Sequence, residues 1–417
     1  MKSKNLLKIL GPGLLYAGAA VGVSHLVQST RAGAMFNFDL VWVLILANIL
    51  KYPFFEFGPR YAVSTGNNLV DGYNKVGKWA VSLYAFVTFC SMFIFQAAIT
   101  VVTVGLISYV FDININITVL SIIILLVALL ILVIGKYSLL DKVIKYIIVL
   151  LALSTIIAVF AAIGINKVVT PEALTKFTWT RGADVFFMIA FVGWMPAPID
   201  VSVWSSVWNI AKAKEIGYMP KLKDALTEFR VGYIGTAILA LGFLLMGALV
   251  MYGTGEQFSP NGTTFSEQLI RMYTTSLGDW AYWIVSIAAT ATMISTTITV
   301  LDAYPRVLSP VFQHLFPGSW KKIKNKQILI WIWLGVLIIG SLMIIAFAGS
   351  SMGTMVSIAT TLSFLVAPVL AWLNLRVVTD KHMPKEAVPG IFLRTLSWLG
   401  ITFFVGFTVV YLYWIYF

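Results

Sequence analysis

The sequence predicts an all-α integral membrane protein of about eleven transmembrane helices. It folds as one domain from two five-helix repeats of opposite orientation, with helices 1 and 6 broken. Three observations lead there. Hydrophobic residues make up 59% of the 417 and charged residues 11%, with a mean hydropathy of +0.91, a balance outside the range of soluble domains. Apolar runs of roughly 20 residues, each long enough to cross a bilayer, recur along the chain. Two of these runs are interrupted in the middle, at Ala19-Ala20-Val21-Gly22-Val23-Ser24-His25 and at Val192-Gly193-Trp194-Met195-Pro196-Ala197-Pro198-Ile199-Asp200. In lipid every backbone polar group must find a partner, so a helix is broken only where the break lines a cavity or packs in protein. Paired breaks in two halves of a chain mark a binding site near the midplane.

The spans fall at about 9–35, 39–65, 79–110, 114–135, 139–165, 183–211, 230–252, 279–305, 327–349, 353–375 and 391–417. Repeat one covers about 9–165 and repeat two about 183–375, and the helix at 391–417 is an addition. Span 1 has neither a small-residue cleavage motif nor a separate charged leader, so it reads as retained. Span 2 contains Lys51, Glu56 and Arg60 with Pro53 and Pro59. Glu56 and Arg60 stand four apart on one helical face and form a pair with a structural or gating role. Cys90 is alone in span 3, which excludes an intramolecular disulfide and a cysteine metal site and suits a small core residue. Asp184 sits near the start of span 6 and complements a helix N-terminus. Asp302 and Arg306, flanking Pro305, repeat the pair geometry at the end of span 8. The stretch 253–278 reads as a polar loop, and Asn261-Gly262-Thr263 matches a glycosylation acceptor by pattern only. Connections 212–229 and 306–326 are basic and carry short amphipathic segments. His314 and His382 fall in connections, as solvated histidines. Span 10 offers a polar face of Ser357, Thr360, Thr361 and Ser363, suited to lining a pathway or packing between helices. Tyr411, Tyr413, Trp414 and Tyr416 end span 11 as an interfacial belt.

The net charge of +12 reflects topology. Most basic residues lie in alternate connections, among them Lys75, Lys78, Lys212, Lys221, Lys321, Lys322, Lys381 and Lys385, whereas the intervening ones hold only Lys167, Lys176, Arg181 and Arg271. This bias puts the N-terminus in the cytoplasm and the C-terminus outside, in a bacterial inner membrane. It excludes nucleic acid as the partner. The partners expected are the lipid bilayer and a small ionic solute; the sequence is silent on oligomeric state, and a monomer suffices.

Gly11-Pro12-Gly13, Arg31-Ala32-Gly33-Ala34-Met35-Phe36, Leu40-Val41-Trp42-Val43-Leu44 and Met195-Pro196 resemble the NRAMP family of divalent-metal transporters. The resemblance is low over spans 1–10 and most specific in the first 70 residues. It implies a LeuT-like fold and a secondary transporter working by alternating access. The family's Asp-Pro-Gly-Asn metal motif aligns with Gly22, Val23, Ser24 and His25, so its aspartate is missing. Its Met-Pro-His-Asn motif becomes Met195, Pro196, Ala197 and Pro198. Span 3, where the family places acidic residues for proton transfer, contains no Asp, Glu or His between Trp79 and Ile107.

These departures carry physical weight, because a dication entering a low-dielectric midplane needs anionic ligands to replace its hydration shell. A metal site here would rest on His25, Met195 and Asp200. The opposing expectation is a small anion, bicarbonate or a small carboxylate. Half-helices starting near Ser24 and Ala197 direct amides and positive dipole ends at the cavity, Gly22 permits close approach, and Ser24 and His25 donate hydrogen bonds. Arg31 adds positive field near the entrance. Gly18 to Ser24 is also similar to the Gly-x-Ala-Val-Gly-x-Gly segment with which LeuT-type symporters hold a carboxylate. By position in such symporters, a sodium ion would take carbonyls of Gly18, Val21 and Thr292 and hydroxyls of Ser295 and Thr296; packing between helices accounts for those hydroxyls as well.

The expected function is therefore transport of a small anion or other non-metal solute by an NRAMP-related protein, with sodium coupling. A divalent-metal transporter with an altered site is the alternative, and a channel-like or non-transporting sensor is a second. No nucleotide-binding loop or catalytic constellation is present, so no enzyme is expected, and no cofactor beyond a coupling Na+.

Overall fold

A computed structural model describes residues 12–134, 137–165, 167–325, 327–347 and 351–416. Gly11 of the Gly-Pro-Gly motif lies outside them. The described residues are almost entirely helical, with one isolated bridge between Asn261 and Ser351. The first span is broken as expected. Helix α1 (Pro12–Ala20) stops, a π-helix runs over Ser24–Ser29, and α2 (Thr30–Phe36) completes the segment. Helix α3 (Val41–Thr65) contains both prolines. A reciprocal capping box between Asn68 and Asp71 starts the short α4 (Leu69–Val76), satisfying two orphan amides. The rest of the first half is α5 (Lys78–Val110), α6 (Ile117–Val133) and α7 (Tyr137–Ala162).

The second half begins with α8 (Gly182–Trp194), its break, and α9 (Val201–Ile216). It continues with α10 (Leu222–Met246), which passes into a π-helix at Gly247–Met251, then α11 (Gly262–Leu277) and α12 (Tyr282–Leu315). Helices α13 (Pro317–Lys322), α14 (Gln327–Phe347), α15 (Met352–Val378) and α16 (Ile391–Tyr416) follow. Among the described residues, seven helical stretches are long and apolar enough to cross a membrane, and Ile117–Val133, Tyr146–Ala162 and Gly182–Trp194 are shorter apolar helices.

Several expectations change. The stretch 253–278 is mostly the helix α11, because Asn261 Oδ1 accepts from the amides of Thr263 and Thr264 and Phe265, Leu269 and Met272 bury one face. The glycosylation-like pattern is thus a helix cap. Helices α9 and α12 run further into the basic connections than expected. Cys90 is exposed on the apolar helix α5, not in the core. His314 is no free surface histidine; its Nε2 lies 2.7 Å from Asp71 Oδ1.

The paired charges are as their spacing suggests. Arg60 bonds Glu56 through Nε at 3.1 Å, and Arg230 joins from α10 at 3.5 Å. Arg306 Nε lies 2.7 Å from Asp302. Asp184 pairs with Arg181 at 3.0 Å and accepts the amide of Thr178.

Small residues let the backbones meet. A Cβ on Gly33 would lie 1.9 Å from the Leu244 carbonyl oxygen, and one on Gly247 would lie 2.1 Å from that of Thr30. Each glycine therefore admits the other segment's backbone, fixing α2 against the π-helix after α10. Gly247→Ala is expected to cost about 1–3 kcal/mol through overpacking. Gly235→Ala, with nothing within 4 Å of its Cβ position, should be neutral or slightly stabilising. Thermal unfolding of the two variants in detergent checks this crossing, and equal midpoints would refute it.

Candidate functional site

The two breaks face a shared cavity. At the first, α1 ends at Ala20, and the turn bonds Val21 N to Ala17 O at 2.7 Å and Leu26 N to Gly22 O at 2.9 Å. The Ser24 hydroxyl donates to the Ala20 carbonyl at 2.6 Å, capping the end of α1. Gly22 is required by α12, because a Cβ there would lie 2.8 Å from Thr296 Oγ1.

His25 is fully buried and turned toward α10. Its Nε2 lies 2.9 Å from the Thr236 carbonyl, which can only accept, so Nε2 carries the proton in the bond. Nδ1 lies 2.7 Å from Ser24 Oγ. Both ring nitrogens thus face protein atoms, and the single Ser24 proton serves either Nδ1 or the Ala20 carbonyl.

At the second break the peptide bond before Pro196 is cis. Helix α9 starts at Val201 with Asp200 as its N-cap residue, later than the expected start near Ala197. Pro196 and Pro198 have no N–H to donate, which suits the non-helical stretch between. A carboxylate therefore stands at this helix N-terminus, where negative charge is favoured. Asp200 is buried; its Oδ2 accepts from Tyr304 Oη at 3.4 Å, and its Oδ1 has no hydrogen-bond partner among the described residues. Met195 is fully buried.

The cavity between the breaks is lined by Ala19, Ala20, Val23, Ser24, Phe95, Ile99, Trp194, Ala197, Pro198, Val201, Trp204, Thr296 and Val300, and measures about 20 Å³, room for a single water. Of the expected substrate residues, Ser24 and Ala197 line it. Gly22, His25, Met195 and Asp200 lie outside the lining. No group of three or more His, Cys, Asp or Glu suited to a metal ion occurs among the described residues, and of the three residues expected around a metal His25 bonds Thr236 while Asp200 bonds Tyr304. Arg31 is away from the cavity, its guanidinium 5.5 Å above the Phe187 ring. Glu56, Arg60, Asp302 and Arg306 are occupied in the intrahelical pairs described above.

The five residues expected around a sodium ion do converge in part. Thr296 Oγ1 lies 3.1, 3.2 and 3.0 Å from the carbonyl oxygens of Gly18, Val21 and Thr292. One hydroxyl proton can serve only one of these three acceptors. The Thr292 hydroxyl turns to its own helix, on Ala288 O at 2.7 Å, and the Ser295 hydroxyl faces Gly18.

Sequence reasoning missed the residues that dominate the second break. Lys51, fully buried on α3, donates to the carbonyls of Val192, Gly193 and Ala197. Trp194 Nε1 donates to Ser363 Oγ at 2.5 Å, and Trp204, Trp194 and Phe95 supply the cavity's aromatic wall. A lysine in the middle of an apolar run was the available signal, since such a charge is costly unless partnered.

Fold and site together define a helical membrane protein of the LeuT-like class, with two broken helices around a central cavity. The chain belongs to the Nramp family: the model for natural resistance-associated macrophage protein-like sequences matches residues 13–414. It is 36% identical over 409 residues to an uncharacterised protein of Pasteurella multocida (strain Pm70), covering 97% of this chain and 91% of that one. A divalent metal cation transporter of Verminephrobacter eiseniae (strain EF01-2) is 30% identical over 66 residues, 16% of this chain and 15% of that one. Among solved structures, the manganese transporter of Eremococcus coleocola superposes with a TM-score of 0.67 at 11% identity, over 98% of this chain and 86% of that one. A nucleobase-cation-symport-1 family transporter, closed with bromovinylhydantoin bound, superposes at 0.58 with 13% identity, over 97% and 90%.

The packing of the first break gives a direct test. Gly22→Ala is expected to destabilise by about 1–3 kcal/mol. Adding Thr296→Ala removes the atoms that the new methyl meets, so the double variant should lose less than the sum of the singles. Additive losses in thermal unfolding would contradict the contact.

Proposed function

We propose that this protein is a secondary transporter working by alternating access that carries a small anion or other non-metal solute, with a small carboxylate preferred. The observation that carries this reading is the cavity lining: Ser24 and Thr296 are its polar side chains, three aromatic rings form a wall, and it contains no carboxylate, imidazole or thioether. A naked dication entering it would lose hydration without anionic compensation. An organic carboxylate matches better, its body against Trp194, Trp204 and Phe95 and its charge toward the amide end of the half-helix that opens at Ser24. The aromatic wall also favours an organic solute over bicarbonate. The hydantoin bound by a neighbour of the same fold is likewise a small organic solute.

The cavity holds no more than a water, so solute entry requires the breaks to part, as alternating access supposes. Sodium is the proposed coupling ion, supported by the three carbonyls that crowd the Thr296 hydroxyl. The proposed orientation has the N-terminus in the cytoplasm and the C-terminus outside, in a bacterial inner membrane, supported by the distribution of basic residues.

A second reading, transport of a divalent metal, draws support from the family and from the manganese transporter with the same fold. Proteoliposome uptake separates the two. Labelled small monocarboxylates should accumulate saturably and faster with an inward sodium gradient, while manganese does not. Thr296→Val should abolish the sodium stimulation. Saturable manganese uptake without carboxylate uptake would overturn the proposal.

A further inference from the structure

The second break contains a buried cation that the transport reading does not use. The Lys51 ammonium lies 2.6 Å from the Val192 oxygen, 2.8 Å from that of Gly193 and 3.2 Å from that of Ala197. An ammonium has three protons to donate, and here each has a backbone acceptor. Two of these carbonyls belong to the last turn of α8, where the negative end of the dipole gathers; the Val192 oxygen also accepts the Met195 amide at 3.2 Å. The third lies beyond the break. One ammonium therefore satisfies oxygens on both sides of it.

Three backbone oxygens converging on a point in a low-dielectric interior are also the donors that a free monovalent cation takes from unwound helices. Lys51 is fully buried on α3, and Asp200 is buried at the start of α9. Removal of the ammonium takes a donor from three carbonyls in the buried interior.

We propose that Lys51 is a tethered cation: its ammonium fills a carbonyl cage at the second break that would otherwise take a free monovalent cation, and truncating the side chain opens there a site for ammonium-type ions. The wild-type chain thus needs no bound cation at this break. The inference concerns the cage itself and does not rest on which solute is carried.

The test is thermal unfolding of purified protein in detergent, with Lys51→Ala and Lys51→Met beside the wild type. Ammonium, methylammonium and choline chlorides are compared at equal ionic strength. Lys51→Ala empties the cage, whereas Lys51→Met fills its approach with an apolar chain and removes the donors. Both variants should melt below the wild type. Ammonium and methylammonium should restore most of the Lys51→Ala loss, choline should restore none, and the wild type and Lys51→Met should not respond. A merely structural lysine would produce the loss without the cation-selective recovery. The proposal is overturned if Lys51→Ala responds to ammonium no more than to choline. If Lys51→Ala yields no folded protein in choline chloride, purification in ammonium chloride decides: folded Lys51→Ala recovered in ammonium and not in choline supports the proposal, and failure in both salts overturns it.

Discussion

The structure depends on one constraint: a helix interrupted inside a membrane exposes peptide groups that neither water nor lipid can satisfy. Each break solves this with side chains held at fixed positions. Ser24 returns its hydroxyl to Ala20, and Thr296 reaches from α12 to the carbonyls of Gly18 and Val21. Lys51 reaches from α3 to three carbonyls around the second break. The broken helices are thereby joined to unbroken neighbours at the points where their own ladders fail, and the cavity sits between those joints.

The same constraint decides the electrostatics. Buried charge in this chain is matched locally: Glu56 with Arg60, Asp302 with Arg306, and Lys51 with the carbonyl end of α8 while Asp200 stands at the start of α9. None of these charged groups lies on the cavity wall. The side-chain hydroxyls on that wall are those of Ser24 and Thr296.

The breaks were legible in the sequence because glycine and proline in the middle of an apolar run both weaken a continuous helix. Side-chain aim was not legible. His25 follows Ser24 directly, but the π-helix over Ser24–Ser29 spaces side chains differently around the axis from an α-helix, and spacing alone does not show that the imidazole turns to Thr236. The start of α9 was placed too early because Ala197 favours helix, while the prolines on either side of it cannot donate to one. Helix α11 was hidden by the glycines and proline around its cap, although Phe265, Leu269 and Met272 carry helical spacing. Lys51 was visible as an anomaly, but its partners are backbone atoms about 140 residues away, and backbone acceptors leave no mark on composition.

Lys51 also has a mechanical consequence. Its ammonium works as a rivet through three pieces: the end of α8, the stretch beyond the break, and the long helix α3 from which it hangs. Gly193 and Ala197 cannot be drawn apart while it holds, and α8 cannot withdraw from α3 without first stripping its last carbonyls of that donor. The first break has lighter fastenings, single hydroxyls that can swing between acceptors. Of the two interruptions, the one at Gly22 is therefore built as the joint and the one at Pro196 as the frame.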